Sequence, residues 1–317
     1  MKKTDSIATL DLLADNLGEK EDPLFKIERG IRARKTSDLL AENKVGYVPA
    51  LFIWCPLPYK NVGNKYERIY GDGKNRIQLQ MTSLREIGVP YSKKGRQVLS
   101  LITSQAVLGK NKHIDLGDIS EAWMKMNFKS SSGGQNGNIK RITETFQQFA
   151  SLALSSSSKV VQEKYEGFVG NNILVADKIE LYWNKPKEIG VKGLFENYID
   201  LSERFFDLIV NHAVPIDIVE YNKLQSPRKQ DIYAWLVRSM FKLKDERVIP
   251  WEKLYPQFSD NLDPRKKPEF RSDFKDALFI AKQIYPEANL RVDEKNVILE
   301  PSLAHIPHIN PKNVGYI

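Results

Sequence analysis

Apolar positions in this chain recur at two periods, and the switches between them divide the sequence into elements. From Ser92 to Leu108, Val98, Leu101, Ile102 and Ala106 return at helical spacing and Gly109 ends the run, which predicts a helix. A short extended piece follows at His113, Ile114, Asp115 and Leu116. Asp118 can then cap a second helix carrying Ile119, Ala122, Trp123 and Met126. After a Ser, Gly and Asn loop over 130–138, Ile139, Ile142, Phe146, Phe149 and Ala153 form a third apolar stripe. Lys140, Arg141, Gln147, Gln148 and Ser151 project on its other side. Runs rich in β-branched and aromatic residues at 160–168 and 173–183, separated by Gly170-Asn171-Asn172, predict a hairpin. Helix, strand, helix, turn, helix, hairpin is the order of a winged helix.

The second half repeats that order. Ile216 to Leu224 reads as a short helix, and Ser226-Pro227 opens a longer one with Ile232, Trp235, Leu236, Ser239 and Met240 facing inward. Val248-Ile249 gives a strand and Trp251 to Phe258 a helix. The loop Pro264-Arg265-Lys266-Lys267-Pro268 leads into a helix from Phe270 to Ile284, buried along Phe274, Ala277, Leu278, Ala281 and Ile284. Asn289 to Val292 and Val297 to Leu299 flank a polar tip. Upstream of both repeats, Val45 to Tyr59 reads as a strand entering a turn, and 66–82 as strands around Gly71-Asp72-Gly73. Ile7, Leu10, Leu13 and Leu17 stripe a short helix behind Asp5. The expected fold is α+β and helix-rich: an N-terminal helical arm over 1–45, mobile or dimerising, and two tandem winged-helix domains over 46–200 and 201–317, the second with a C-terminal tail.

Composition narrows the function. The 317 residues are 41 % hydrophobic and 10 % aromatic, enough to fill real cores and too apolar for a disordered chain. No run approaches the apolar length of a membrane helix, so a soluble cytoplasmic protein with no membrane role is expected. A single cysteine, Cys55, can form neither an internal disulfide nor a thiolate cluster. The net charge of +8 is unevenly placed: residues 90–150 carry +5, 151–224 carry −3 and 225–284 carry +4. Two basic blocks around an acidic one suit two modules that each meet a polyanion; the plainer reading is an ordinary solvated surface.

The catalytic motifs sought are absent or generic. Gly88 to Gly95 lacks the terminal Lys and Ser/Thr of a phosphate-binding loop. The four histidines do not include a pair bracketing one apolar residue, and His305-x-x-His308 reads as two exposed imidazoles, so no metal and no cofactor are expected. Asp273-x-Lys275 and Asp293-x-Lys295 could in principle position a divalent ion, but such pairs are background in a chain with 28 % charged residues. Trp123, Tyr182, Trp183, Tyr233, Trp235 and Trp251 fall at apolar positions and read as core. The binding signals are more coherent. Gln can bridge the N6/N7 edge of adenine and Arg the O6/N7 edge of guanine, and Lys93, Lys94 and Arg96 crowd a helix start where cations oppose the dipole unless phosphate is near. The candidate DNA-binding residues are therefore Lys140, Arg141, Gln147 and Gln148 on one half-site, Lys267, Arg271, Lys275 and Lys282 on the other, and Lys93, Lys94 and Arg96 on phosphates.

Gly88-Val89-Pro90-Tyr91-Ser92 with Arg96 and Leu99, then Ile114-Asp115-Leu116-Gly117, then Gly133-Gly134, Gly137 and the helix from Ile139 to Phe149, resembles the core of the plasmid-encoded RepA-type replication initiators. Pro215-Ile216-Asp217 and the run from Asp231 to Leu236, with Trp251 to Leu254 and Phe258, is similar to that family's second half. The resemblance runs from Leu51 to Pro301. Ser92 stands where the family has a small glycine, the following SKKGR is more basic, and the first 45 residues lie outside it. The resemblance implies a non-enzymatic initiator that binds direct repeats (iterons) in double-stranded origin DNA, helps open A·T-rich DNA, draws host replication proteins such as an initiator or helicase, and represses its own gene. A homodimer through the arm stays open. The alternatives are a nuclease or nicking enzyme on a basic scaffold, and a plain transcriptional repressor binding an inverted repeat as a dimer.

Overall fold

The computed structural model describes residues 44–71, 77–117, 138–162, 165–182 and 197–306. The expected helix of the arm, the helix behind Asp118 and the expected loop as far as 137 lie outside these residues; Asn138, expected in that loop, is the first residue of a helix. The described elements form a mixed α/β fold of helices and small antiparallel sheets.

The chain enters through β1 (Val45–Pro49), which pairs antiparallel with the distant β9 (Ala213–Asp217), from Val45 opposite Asp217 to Pro49 opposite Ala213. The sequence predicts that this strand runs on to the following turn; instead α1 (Ala50–Trp54) begins directly behind Pro49. Its burial explains the difference. Leu51 and Phe52 enter one hydrophobic core while Ile53 and Trp54 enter the other, so the segment shows no alternation of apolar and polar residues.

The first core lies between a four-stranded sheet and three helices. The sheet runs β2 (Lys65–Tyr70), β3 (Ile77–Ser83), β5 (Leu152–Gln162), β6 (Tyr165–Leu174). α2 (Ser92–Gly109) and α3 (Asn138–Ala150) pack on it with α4 (Glu203–His212), whose N-cap Ser202 accepts from Phe205 N. β4 (His113–Asp115) joins β8 (Tyr198–Leu201) and β7 (Ala176–Glu180) in a separate small sheet. The hairpin is displaced from its expected place. Gly170-Asn171-Asn172 does not turn; it lies inside β6 opposite Ser157, Ser156 and Ser155. A polar strand facing a run of serines carries no apolar alternation to fix its register, so its Gly and Asn residues look like a turn in sequence.

The second core keeps the predicted order of elements, but Ile216, expected in a helix, lies in β9 paired with β1, and the expected loop over 264–268 is a 3-10 turn that runs directly into the next helix at Lys267. α5 (Ile218–Lys223) is capped by Asp217, and α6 (Pro227–Met240) starts behind Ser226, which accepts from Lys229 N, with Pro227 in the first turn. β10 (Arg247–Pro250), α7 (Trp251–Phe258), α8 (Lys267–Ile284), β11 (Asn289–Val292) and β12 (Asn296–Glu300) follow, the strands ordered β10-β12-β11. Phe274 of α8 is the hub: the rings of Trp251, Phe258 and Trp235 stand 5.5, 5.5 and 5.6 Å from it. Tyr233, Trp235 and Trp251 are core residues as expected, whereas Tyr182 is exposed and donates to Glu180.

Candidate nucleic-acid interface

On α3 the buried stripe is broad. Ile142, Thr143, Thr145, Phe146, Gln148 and Phe149 are all buried, which leaves Lys140, Arg141, Glu144 and half-buried Gln147 as the outer face. Lys140 Nζ lies 4.0 Å from Glu144, an exposed pair of the i, i+4 type that contributes little stability. Lys94, one turn into α2, belongs to the same electrostatic patch. Burial lowers its pKa, the Arg141 guanidinium lowers it further, and Glu144 pulls it back. Burial also lowers Lys93. Glu144 offsets part of the repulsion between Lys94 and Arg141, and the patch of Lys94, Lys140, Arg141 and Glu144 stays net positive.

Gln148 is not part of that face. It is 9 % exposed, and its Nε2 donates to Ile87 O at 3.1 Å, holding the segment before α2 against α3. Gly88 in this segment has φ +86°, a conformation that suits glycine, and its amide donates to Asn64 Oδ1 at 3.0 Å. Arg96 is a second correction. It is 3 % exposed and its guanidinium forks onto Asp231 of α6, so it has no reach to a phosphate. A cation at a helix start looks the same in sequence whether it faces solvent or a carboxylate far along the chain.

Gln147 lines an open groove of about 360 Å³ together with Arg85, Ile87, Ile179 and Leu181. Exposed Arg85 was not singled out from the sequence. Its signal was its place, a cation in the turn segment just ahead of the Gly88 motif.

In the second half, Lys267, Arg271, Lys275 and Lys282 do not form one open row. Half-buried Arg271 lies 3.6 Å from Glu252 and donates to Glu294 O. Lys282 Nζ is held by the carbonyls of Pro286 and Ala288 beyond the end of α8. Lys267 Nζ stands 6.0 Å from the Tyr255 ring, and exposed Lys275 Nζ 6.0 Å from that of Trp251. Neighbouring cations are matched as well, Arg265 by Asp263, Lys266 by Glu269 and Arg228 by Asp273. Acids interleaved along this surface offset its basic run. Exposed Phe279 sits among them on α8, between Lys275 and Lys282.

The two acid-x-Lys patterns have local roles. Asp273 faces Arg228, and Asp293 Oδ1 accepts from the amides of Lys295 and Asn296 at 2.7 and 2.6 Å, an Asx turn that shapes the β11–β12 tip. The Lys295 amide foremost holds the Asp293 carboxyl below its ordinary pKa. Among the described residues no cluster of three or more His, Cys, Asp or Glu is arranged to hold a metal ion. His305 is half-buried, its ring 4.7 Å from that of Tyr285 and 5.8 Å from that of Tyr233; His308 lies outside the described residues. No described helix is long and apolar enough to cross a membrane.

The segment that carries the α2 start, α3 and α6 is also the segment that matches a known family. The model of a family described as plasmid encoded RepA protein matches residues 89–253, more than half of the chain. The chain belongs to this family. Membership in the plasmid-encoded RepA family places it among plasmid replication initiators. No curated protein matches the chain. Among solved structures, SeMet derivatives of domain 2 and domain 3 of RctB match with a TM-score of 0.49 and 11 % identity, over 80 % of this chain and 96 % of that one. A second structure of RctB domains 2-3 matches with a TM-score of 0.48 and 9 % identity over the same shares.

Proposed function

We propose that this RepA-family chain initiates plasmid replication by binding direct repeats in double-stranded origin DNA through two winged-helix modules. In each, the helix before a hairpin faces the duplex: α3 ahead of β5 and β6, and α8 ahead of β11 and β12. The observation that carries the reading is the outward face of α3, where Lys140 and Arg141 are exposed and Lys94 shares their field. Concentrated positive charge on a helix followed by a hairpin is what groove entry and phosphate contact require. The reading supported for α8 is narrower. Lys275 and Lys267 remain toward solvent, whereas Arg271 and Lys282 act mainly to hold the fold.

On this reading the protein is not an enzyme and needs no cofactor, acts in the cytoplasm, helps open neighbouring A·T-rich DNA, draws host replication proteins and represses its own gene. A homodimer would serve repression. Footprinting of the purified protein on its own origin and upstream DNA, at two salt concentrations and against a scrambled duplex, tests this directly. Regularly spaced protected repeats are expected, with affinity well above the scrambled control. Equal, steeply salt-dependent binding to both duplexes would refute sequence-specific initiation. Supercoiled plasmid incubated with the protein and Mg²⁺ or Mn²⁺ should stay intact, and nicking would favour the nuclease alternative.

A further inference from the structure

The two halves meet along a seam whose chemistry differs from an ordinary apolar interface. Arg96 of α2 and Asp231 of α6 are 3 % and 6 % exposed, and Nε and Nη2 each lie 2.6 Å from one carboxylate oxygen. The rest of the guanidinium is used on the first half's own backbone: Nη2 donates to Leu57 O at 2.7 Å, and Nη1 to Ser92 O at 3.0 Å and Pro58 O at 3.3 Å. A second pair crosses nearby. Arg68 of β2 donates to Asp260 Oδ1 at 2.5 Å and to Ser259 O, while Asp260 also takes Tyr66 OH at 2.7 Å and Tyr59 N at 3.0 Å. The Tyr59 ring stands within 5.0 to 5.8 Å of the guanidinium carbons of Arg68, Arg96 and Arg228. Beside these pairs run the β1–β9 ladder and Gln257 Nε2, which donates to Ile53 O at 3.2 Å.

Such a seam resists sliding. An apolar contact can slip and repack at modest cost, but displacing a buried fork leaves two unpaired charges away from water. Interfaces between parts of one chain usually permit relative motion when they are small and polar. A strand ladder and a shared helix also join the same two halves.

We propose that this seam is a spacing gauge: Arg96 and Asp231 are positioning residues that fix the two halves in one relation, so the protein selects origin sites by the separation of their two contacted segments. The inference rests on the DNA-binding reading above. Each inserted base pair shifts one segment relative to the other by about 3.4 Å and turns it by about 35° around the duplex. A rigid protein cannot follow both.

The test measures affinity for the duplex protected in the origin footprint, with one, two or five base pairs inserted between its contacted segments. The intact protein is expected to lose at least about tenfold on inserting one or two. Asp231→Asn keeps the shape while weakening the fork, and should bind the natural spacing within a few-fold of the parent yet show a clearly smaller insertion penalty. Binding of the inserted duplexes by the intact protein within about twofold of the natural one would overturn the gauge. So would an Asp231→Asn penalty equal to the parent's. Should Asp231→Asn fail to fold, spin labels decide without touching the pair. Cys55 is buried, so Leu108→Cys and Gln283→Cys can be labelled selectively in the full chain. One narrow distance supports the gauge, and a broad or two-peaked distribution overturns it with no DNA present. Loss of binding to every origin duplex, alongside a narrow distance, would sink the DNA reading and the gauge together; a broad distribution with binding intact would sink the gauge alone.

Discussion

Arg96 and Asp231 sit 135 residues apart in the chain and share a two-toothed contact with both oxygens of one carboxylate engaged. Burial opposes the charge on each partner. It raises the Asp231 carboxyl, with Arg96 pulling it back, while Arg96 ends above its ordinary value because Asp231 more than offsets its desolvation. Removing one partner is therefore far worse than removing both. Asp231→Ala should cost about 3 to 5 kcal/mol in urea unfolding, because it strands a buried guanidinium. The double change Arg96→Met with Asp231→Leu should cost much less, and a double variant as unstable as Asp231→Ala would show that the fork is not the main contact.

Salt dependence should separate the residues proposed to face DNA from those that hold the fold. Lys140→Ala and Arg141→Ala should each weaken binding to all duplexes and lower the slope of log affinity against log salt by about one. Lys282→Ala should leave that slope unchanged and instead loosen the end of α8, whose carbonyls its ammonium holds. Equal slopes for Lys140→Ala and parent would remove α3 from the interface.

Cys55 offers a probe of opening. It is fully buried, and burial pushes its thiol up to about 12, with Arg68 pulling slightly the other way. Labelling by a thiol reagent at pH 8 should follow global unfolding and accelerate in Asp231→Ala. The folded chain keeps this proton to higher pH than the unfolded chain, whose thiol titrates near 9. Between about 9 and about 12 stability should therefore fall as pH rises, by up to about 1.4 kcal/mol per pH unit more in the parent than in Cys55→Ala.

Gly46 is fixed by a close approach. A Cβ added there would lie 2.7 Å from Ile218 Cβ and 2.9 Å from its Cγ1 and Cδ1; a rotamer change can move the latter two, but the Cβ is fixed to the backbone and cannot give way. Gly46→Ala should destabilise by about 1 to 3 kcal/mol in thermal or urea unfolding. A neutral result would mean that β1 and the start of α5 shift apart freely.

The second core was legible from α6 to β12 because its helices show their own apolar period, and α6 also shows its own cap in Ser226 and Pro227. The first half yielded α2 and α3 on the same grounds. What stayed hidden was long-range. Leu51 to Trp54 serve two cores at once and so display no period, and β8 and β9 depend on partners far along the chain. Of the candidate interface, the exposure of Lys140 and Arg141 is what their place on the helix predicts. Gln148 was misplaced because the width of the buried stripe on α3 is set by the Ile87 segment packing beside it. Arg96 and Lys282 were misplaced because charge in a sequence does not reveal whether an acceptor has already claimed it.

The β1–β9 ladder also constrains how the chain is made. Val48, Ile53 and Trp54 leave the ribosome early, yet they complete a core whose other members, from Val214 onward, are still to be synthesised. At ordinary elongation rates β1 waits on the order of 10 to 30 s for β9. Through that interval an apolar strand and half of α1 stand without their partners, so the nascent chain is most exposed to mispairing and to chaperones before the second half emerges. A single defect at β9 would then be felt as a failure of both halves to mature.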